Sequence, residues 1–195
     1  MLVITIMPDF LLEKNILEMK KIVIKRFKKH TYADHFPHCT LLSSKSVKLK
    51  NLNKLEKLLN NYNLKIEIDG TDIFLNDPLT NSNTLFLKIK KNKKIINLQK
   101  LIIENLDFES NLINKTDVKF HNTILKKSYL RYGYPFVGNH WIPHFTIASI
   151  NSNRNSVFVK NFLKKKINYS YTLNEIAIWH FEENHHKLIN KLNFK

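Results

Sequence analysis

Pro37-His38-Cys39-Thr40-Leu41 and Pro143-His144-Phe145-Thr146-Ile147 are two copies of one pattern, Pro-His-apolar-Thr-apolar. Each heads an apolar run, Leu41-Leu42 in the first copy and Ile147-Ala148 in the second. Side chains along an extended strand alternate between its two faces. His38 and Thr40 therefore share one face while Cys39 and Leu41 point the other way, and His144 and Thr146 are likewise opposed to Phe145 and Ile147. Each copy offers an imidazole and a hydroxyl side by side on a strand with an apolar back. Two such strands facing each other make a site of two histidines and two threonines.

The chemistry open to that set is specific. An imidazole titrates near 6.5, so one ring can be neutral and the other protonated at neutral pH. The neutral ring can take a proton from an attacking hydroxyl or water, and the protonated ring can give one to the departing oxygen. Threonine hydroxyls can hydrogen-bond the non-bridging oxygens of a phosphate, where charge sits and rearranges. These groups suffice to cleave a phosphodiester without a metal, provided the two copies face each other.

Working outward from the motifs, the chain reads as alternating strands and helices. Residues 2–6 read as a strand. Residues 10–28 read as an amphipathic helix through Leu11, Leu12, Ile16, Met19, Ile22 and Val23. A polar loop from Lys28 to Phe36 leads to the first motif strand at 38–43. Leu52, Leu55, Leu58 and Leu59 mark a second helix. Residues 64–75 alternate as a strand, Asn76-Asp77-Pro78 is a turn, and residues 84–90 form the partner strand. Helices are predicted at 95–106 and 121–130, followed by a loop, Arg131 to Asn139, and the second motif strand at 143–150. A helix at 154–166 and strands at 169–181 and 186–194, turning at Glu183-Asn184, complete the chain. Each half then reads motif strand, helix, strand, strand. That order predicts an α+β protein with two pseudo-equivalent lobes, and with no Pro/Gly/Ser-rich linker the expectation is one bilobal domain over residues 1–195.

The totals narrow the partners. The chain carries 32 Lys and Arg against 16 Asp and Glu, a formal net charge of +16, which favours a polyanionic partner such as a nucleotide or RNA. An abundance of Lys, Asn and Ile with only 3 Gly is also what an AT-rich genome encodes, so part of the lysine is solubilising surface. A single cysteine, Cys39, excludes an internal disulfide and suits a reducing compartment. No apolar run approaches the roughly 20 residues of a membrane helix, and the N-terminus lacks the features of a signal peptide. The expectation is a cytoplasmic protein, in a host cytoplasm if the source is viral, with no membrane partner.

With both motifs and their surroundings in view, the chain resembles the 2H phosphoesterase superfamily, which includes bacterial 2′-5′ RNA ligase-like proteins, cyclic phosphodiesterases and enzymes that degrade 2′-5′-linked oligoadenylates or cyclic dinucleotides. The resemblance implies a bilobal fold with two pseudo-symmetric lobes, each an antiparallel sheet with flanking helices, and with the motif strands lining a central groove. It implies that His38 and His144 act as acid and base and that Thr40 and Thr146 hold the phosphate. Since the two imidazoles and two hydroxyls suffice and no metal-ligand spacing is present, no cofactor and no metal are expected. The substrates expected on this basis carry phosphate on a ribose 2′-oxygen: a 2′,3′-cyclic phosphate, a 2′-5′ oligonucleotide, or a cyclic dinucleotide with a 2′-5′ bond. A viral or intracellular source would give such an enzyme a role in destroying a host nucleotide signal. The rival readings are the reverse reaction, which joins RNA ends through a 2′-5′ bond, a non-catalytic RNA-binding module with a basic surface, and a metal-dependent hydrolase.

Other residues compete for attention. His121-Asn122-Thr123-Ile124 also fits His-x-Thr-apolar, but its middle residue is polar, it lacks the proline, and it reads as helix, where positions i and i+2 do not share a face. His30 and His35 lie in the loop before the first motif, and His185 and His186 in a predicted hairpin turn, without carboxylate or thiol at metal-ligand spacing. Cys39 beside His38 mimics a Cys-His hydrolase pair, but strand neighbours face apart, so a small buried apolar role is expected. The loop before the second motif is the candidate for substrate selection: Arg131 can pair with a phosphate, and Tyr132, Tyr134, Phe136 or Trp141 can stack on a base. The same aromatics equally suit a packed loop.

Overall fold

A computed structural model describes residues 1–45, 47–48, 52–60, 62–77, 79–108, 122–182 and 185–194, of which the side chains of Lys48 and His185 are not described. Among the described residues the order is β1 (Leu2–Ile6), α1 (Phe10–Arg26), β2 (His30–Thr31), β3 (Cys39–Ser44), β4 (Val47–Lys48), α2 (Leu52–Leu59), β5 (Leu64–Asp77), β6 (Ser82–Ile89), α3 (Lys93–Glu104), β7 (Asp107–Phe108), α4 (Thr123–Tyr132), β8 (His144–Ile150), α5 (Val157–Leu163), β9 (Asn168–Leu173), β10 (Glu175–Glu182) and β11 (His185–Asn193).

The strands form two main antiparallel sheets, one in the order β11-β10-β1-β3 and one in the order β2-β8-β6-β5-β9; β4 and β7 pair separately. The expected α+β architecture with two sheets is therefore present. Each motif leads into a strand next to a central one, β3 beside β1 and β8 beside β6. The lobes do not coincide with the sequence halves, however. The hairpin β5-β6 from the first half joins the second motif strand, and β10-β11 from the C-terminus joins the first. The single strand expected at 169–181 is two strands in different sheets, broken at Asn174, whose carbonyl accepts from the Phe194 N–H. Halves of similar order are consistent with either pairing, because antiparallel partners separated by a helix leave no local mark on the sequence.

The helices begin where the side chains allow. Asp9, Asn92, Asn122 and Ser156 cap α1, α3, α4 and α5, each accepting from a backbone N–H of the first turn. Helix α1 buries Leu12, Ile16, Lys20 and Val23, while Leu11 and Ile22, read as part of its apolar face, are exposed. A lysine thus occupies the buried stripe. Helix α4 starts later than expected and buries no residue; His121 and the turn at Glu183-Asn184 lie outside the described residues. Helix α5 is shorter than the predicted 154–166.

Buried apolar side chains from both sheets, including Ile4, Ile6, Leu41 and Leu42 of one and Leu85, Leu87, Phe145 and Ile147 of the other, belong to one contiguous cluster. Strand β2 pairs with β8 only at Ser149 and Ile150, which leaves the His144–Ile147 stretch of β8 without a strand partner on that side. Strand β3 approaches β8 there. No described helix is long and apolar enough to cross a membrane.

Candidate active site

Both motifs are held by the same local device. His38 Nδ1 lies 2.9 Å from the carbonyl oxygen of Phe36, and His144 Nδ1 lies 2.7 Å from that of Ile142. A carbonyl only accepts, so Nδ1 carries the proton in each ring and Nε2 keeps its lone pair. The proline between donor and acceptor explains the geometry. Pro37 and Pro143 bias the preceding residue, Phe36 or Ile142, towards extended backbone. His38 stands just ahead of β3 rather than inside it, and His144 is the first residue of β8.

Behind the histidines the alternation holds as expected. Cys39, Leu41, Phe145 and Ile147 are buried, while His38, Thr40, His144 and Thr146 are partly exposed on the other face. The hydroxyls of Thr40 and Thr146 have no hydrogen-bond partner among the described residues. The two motifs touch through their backs: the buried Cys39 thiol lies near the backbone N–H of His144, and burial pushes the thiol up to about 12. The indole N–H of Trp141 donates to the Thr40 carbonyl across 3.0 Å.

Both rings are held on the neutral side. Burial, opposed by the bond to Phe36 and reinforced by the charges of Lys20, His35 and His144, lowers His38 to about 4. Burial also lowers His144, while the Ile142 bond and the Asp77 carboxylate pull the other way. The two rings therefore sit in unlike fields, with a lysine cation near one and a carboxylate near the other.

Aromatic rings flank each histidine, and these contacts are invisible in the motifs. His38 packs 4.8 Å from Phe36 and 6.0 Å from Phe181, and Phe181 stacks on His186 at 3.9 Å. His144 packs 5.0 Å from Phe74 and 5.0 Å from Phe86. His35 joins the first cluster through His186 at 5.1 Å. Phe36 lies in the loop two residues before His38, whereas Phe181 and His186 come from β10 and β11 and Phe74 and Phe86 from β5 and β6, so the sheet pairing brings these four to the rings. Trp179 and Phe181, two positions apart on β10, both meet Phe36, at 4.4 and 6.1 Å.

The loop before the second motif is a mixed case. Trp141 is only 2% exposed and offers no free ring face, so the expectation that it stacks on a base is corrected: it is a core residue that pins the other motif. Tyr132 packs against Phe108 and carries the exposed Arg131 guanidinium 5.0 Å above its ring. Tyr134, whose hydroxyl burial pushes upward, meets Phe136 edge-on at 5.8 Å, and Phe136 is the exposed member of the pair. Two concavities, one along α2 and one lined by Lys91, Lys93, Lys100 and Asn139, contain no histidine of the motifs. Among the described residues no three His, Cys, Asp or Glu side chains converge as metal ligands.

A sequence profile of the 2′-5′ RNA ligase superfamily matches residues 11–185, a span that contains both motifs. The chain belongs to this superfamily. No curated protein matches the chain by sequence. Among solved structures, TT0787 of Thermus thermophilus is similar with a TM-score of 0.65 and 14% identity, over 99% of this chain and 97% of that one. LigT of E. coli in complex with 3′-AMP is similar with a TM-score of 0.54 and 15% identity, over 100% and 97%. A protein described as a phosphoesterase gives 0.54 and 16%, over 100% and 97%. At these identities the likeness is one of fold, and it extends over the full length of the 2H phosphoesterase-like structure.

Proposed function

We propose that this member of the 2′-5′ RNA ligase superfamily is a metal-independent phosphodiesterase that cleaves at a ribose 2′-oxygen, in a single bilobal unit spanning residues 1–195. The observation that carries the reading is the matched pair of imidazoles, each anchored at Nδ1 by the carbonyl two residues earlier and each leaving Nε2 free beside an unpartnered threonine hydroxyl. Thr40 and Thr146 hold the phosphate oxygens. His38, in the more cationic surroundings, stays neutral and acts as base; His144, beside the Asp77 carboxylate, takes the proton and acts as acid. A bound phosphodiester supplies the negative charge that lifts His144 into its protonated form. In a linear 2′-5′ substrate the base deprotonates the free 3′-hydroxyl, which attacks phosphorus as the P–O5′ bond breaks and the proton of His144 passes to the leaving 5′-oxygen, giving a 2′,3′-cyclic phosphate and a 5′-hydroxyl end. In a 2′,3′-cyclic phosphate the attacking group is water.

The substrate partner is a nucleotide or RNA, in keeping with the net charge of +16; LigT, of like fold, has been solved with 3′-AMP. Candidate substrates are 2′,3′-cyclic phosphates, 2′-5′ oligoadenylates and mixed-linkage cyclic dinucleotides such as 2′,3′-cGAMP. Destroying a 2′-linked signal of a host is the role such specificity would serve in a host cytoplasm. The family description itself favours one second reading, the reverse joining of RNA ends through a 2′-5′ bond. Mass action sets the direction, and incubation of the enzyme with a cyclic-phosphate end and a 5′-hydroxyl end separates the two.

The test is cleavage of these three substrate classes in EDTA by wild type, His38→Ala and His144→Ala. Cleavage confined to 2′-linked substrates, unaffected by chelation and reduced by about three orders of magnitude or more in both variants, is the expected result. Full activity in either variant would overturn the assignment. Binding that falls steeply with salt and ignores His38→Ala, without any cleavage, would instead establish an RNA-binding module.

A further inference from the structure

Each motif strand carries a β-bulge at the residue after its threonine. In the β1–β3 ladder Ile4 faces Leu42 and Thr5 faces Thr40, so Leu41 has no partner in β1. In the β6–β8 ladder Leu85 faces Ala148 and Phe86 faces Thr146, so Ile147 has no partner in β6. A bulge leaves the extra residue outside the ladder, and a buried carbonyl outside a ladder needs another donor.

The donors come from helices, and they are related by the same pseudo-symmetry. Gln99 of α3 donates from Nε2 to the Leu41 carbonyl at 3.0 Å, and Lys20 of α1 donates from Nζ to the Ile147 carbonyl at 3.1 Å. Each side chain also holds the loop that leads into the opposite motif. Gln99 donates to the Phe136 carbonyl at 2.9 Å and accepts from the Gly138 N–H at 2.8 Å. Lys20 donates to the Tyr32 carbonyl at 2.6 Å. Gln99 therefore links the loop before motif two to the strand after motif one, and Lys20 links the loop before motif one to the strand after motif two. Both side chains are sealed from solvent, at 0% and 2% exposure. The loops they hold turn through left-handed backbone at Tyr32 (φ 69°) and Gly138 (φ 64°), and at Tyr32, which has a side chain, that conformation needs support from its surroundings.

We propose that Lys20 and Gln99 are positioning residues, a pair of crossed clasps that set how His38 and Thr40 face His144 and Thr146. The inference rests on the reading that these two histidines perform the reaction. Both clasps are sealed from solvent, so neither touches substrate. Their effect is on the relation between the motifs, which belong to different sheets with no strand ladder between them.

The experiment compares wild type with Lys20→Met, Lys20→Gln, Gln99→Met and Gln99→Glu, each at the plateau of its own pH profile. Lys20→Gln offers an amide nitrogen with two hydrogens, the same two-carbonyl donor that Gln99 is in the other lobe. Gln99→Glu keeps the acceptor for Gly138 and loses both donor bonds. The expected result is a fall in kcat of about ten- to a hundredfold in Lys20→Met and in both Gln99 variants with KM changed less than about threefold, the signature of misplaced catalytic groups. Lys20→Gln should recover most of that loss, which a general loss of packing would not allow. Wild-type kcat in folded Lys20→Met and Gln99→Glu would overturn the proposal, as would equal losses in Lys20→Met and Lys20→Gln.

A second readout does not depend on turnover. Titration of inorganic phosphate in EDTA, followed by the ring proton resonances of His38 and His144, should give one shared binding curve in wild type and weakened binding, about tenfold or more, in Gln99→Glu. Joint phosphate binding by a wild type that cuts none of the substrates would reject the phosphodiesterase reading while leaving the clasps standing. Unchanged phosphate binding at both rings in Gln99→Glu would reject the clasps themselves.

Discussion

The indole N–H of Trp141, two residues before the second motif proline, donates to the carbonyl of Thr40 in the first motif across 3.0 Å. The loop entering one motif is thus tied, through an indole side chain, to the backbone of the residue that would hold phosphate in the other. Trp141→Phe removes the donor and part of the buried ring, so it strands the Thr40 carbonyl, an unsatisfied group that costs about 1–3 kcal/mol, and adds a cavity cost on top. Urea denaturation should show that loss, and kcat should fall with it. A variant as stable and active as wild type would mean that the bond has no role in joining the motifs.

Acid should destabilise the fold through His38. Its ring is lowered to about 4 in the folded chain against an ordinary 6.5. Between those values the unfolded chain binds a proton that the folded chain refuses, so stability rises with pH. The stabilisation is fully present above 6.5 and is lost as pH falls toward 4, by about 3 kcal/mol if His38 acts alone. Urea midpoints measured across that window in wild type and His38→Gln should differ in slope. Parallel curves would show that His38 titrates normally.

Cys39 should be chemically silent. Its thiol is 1% exposed and pushed up to about 12 by burial, so the native protein should resist alkylation until it is unfolded. Cys39→Ala should keep activity within a fewfold, at a stability cost of about 1 kcal/mol for the lost sulfur contacts. Rapid alkylation that abolishes cleavage would restore a thiol role.

Phe181 and Phe74 flank different histidines, and a base lying beside the scissile phosphate would meet one or the other. Phe181→Ala and Phe74→Ala should each raise KM for a 2′-5′ dinucleotide by about tenfold, the lower end of base-stacking energies. Inorganic phosphate, which has no base, should bind both variants as it binds wild type. Equal losses for dinucleotide and phosphate would show instead that the phenyl rings support the imidazoles.

How far the site could be read in advance differs from residue to residue. His38, Thr40, His144 and Thr146 were legible because strand periodicity is local: a residue two positions along must share a face, whatever the sheet does. Cys39 was legible for the same reason, as a residue facing away from the histidine. Trp141 stayed open between two readings because an aromatic in a loop beside a basic residue has the same local appearance whether it stacks on a ligand or fills a core; its burial decides for the core. Lys20 was overlooked because lysine is counted as surface, although its spacing from Leu12, Ile16 and Val23 places it on the buried stripe of α1.

The sequence by itself determined most of the longer elements, the pairing of an imidazole with a hydroxyl on each motif face, and the two-lobed α+β class, all consequences of short-range geometry and of which residues leave water. Only the tertiary structure decided that β5-β6 joins the second motif while β10-β11 joins the first, and therefore which phenyl ring stands by which histidine. It alone decided that Gln99 and Lys20 reach across to the bulges after the threonines. Such contacts join residues 58 and 127 positions apart. Their partners are backbone carbonyls, which every residue possesses, so nothing in the identities of Leu41 or Ile147 could announce them.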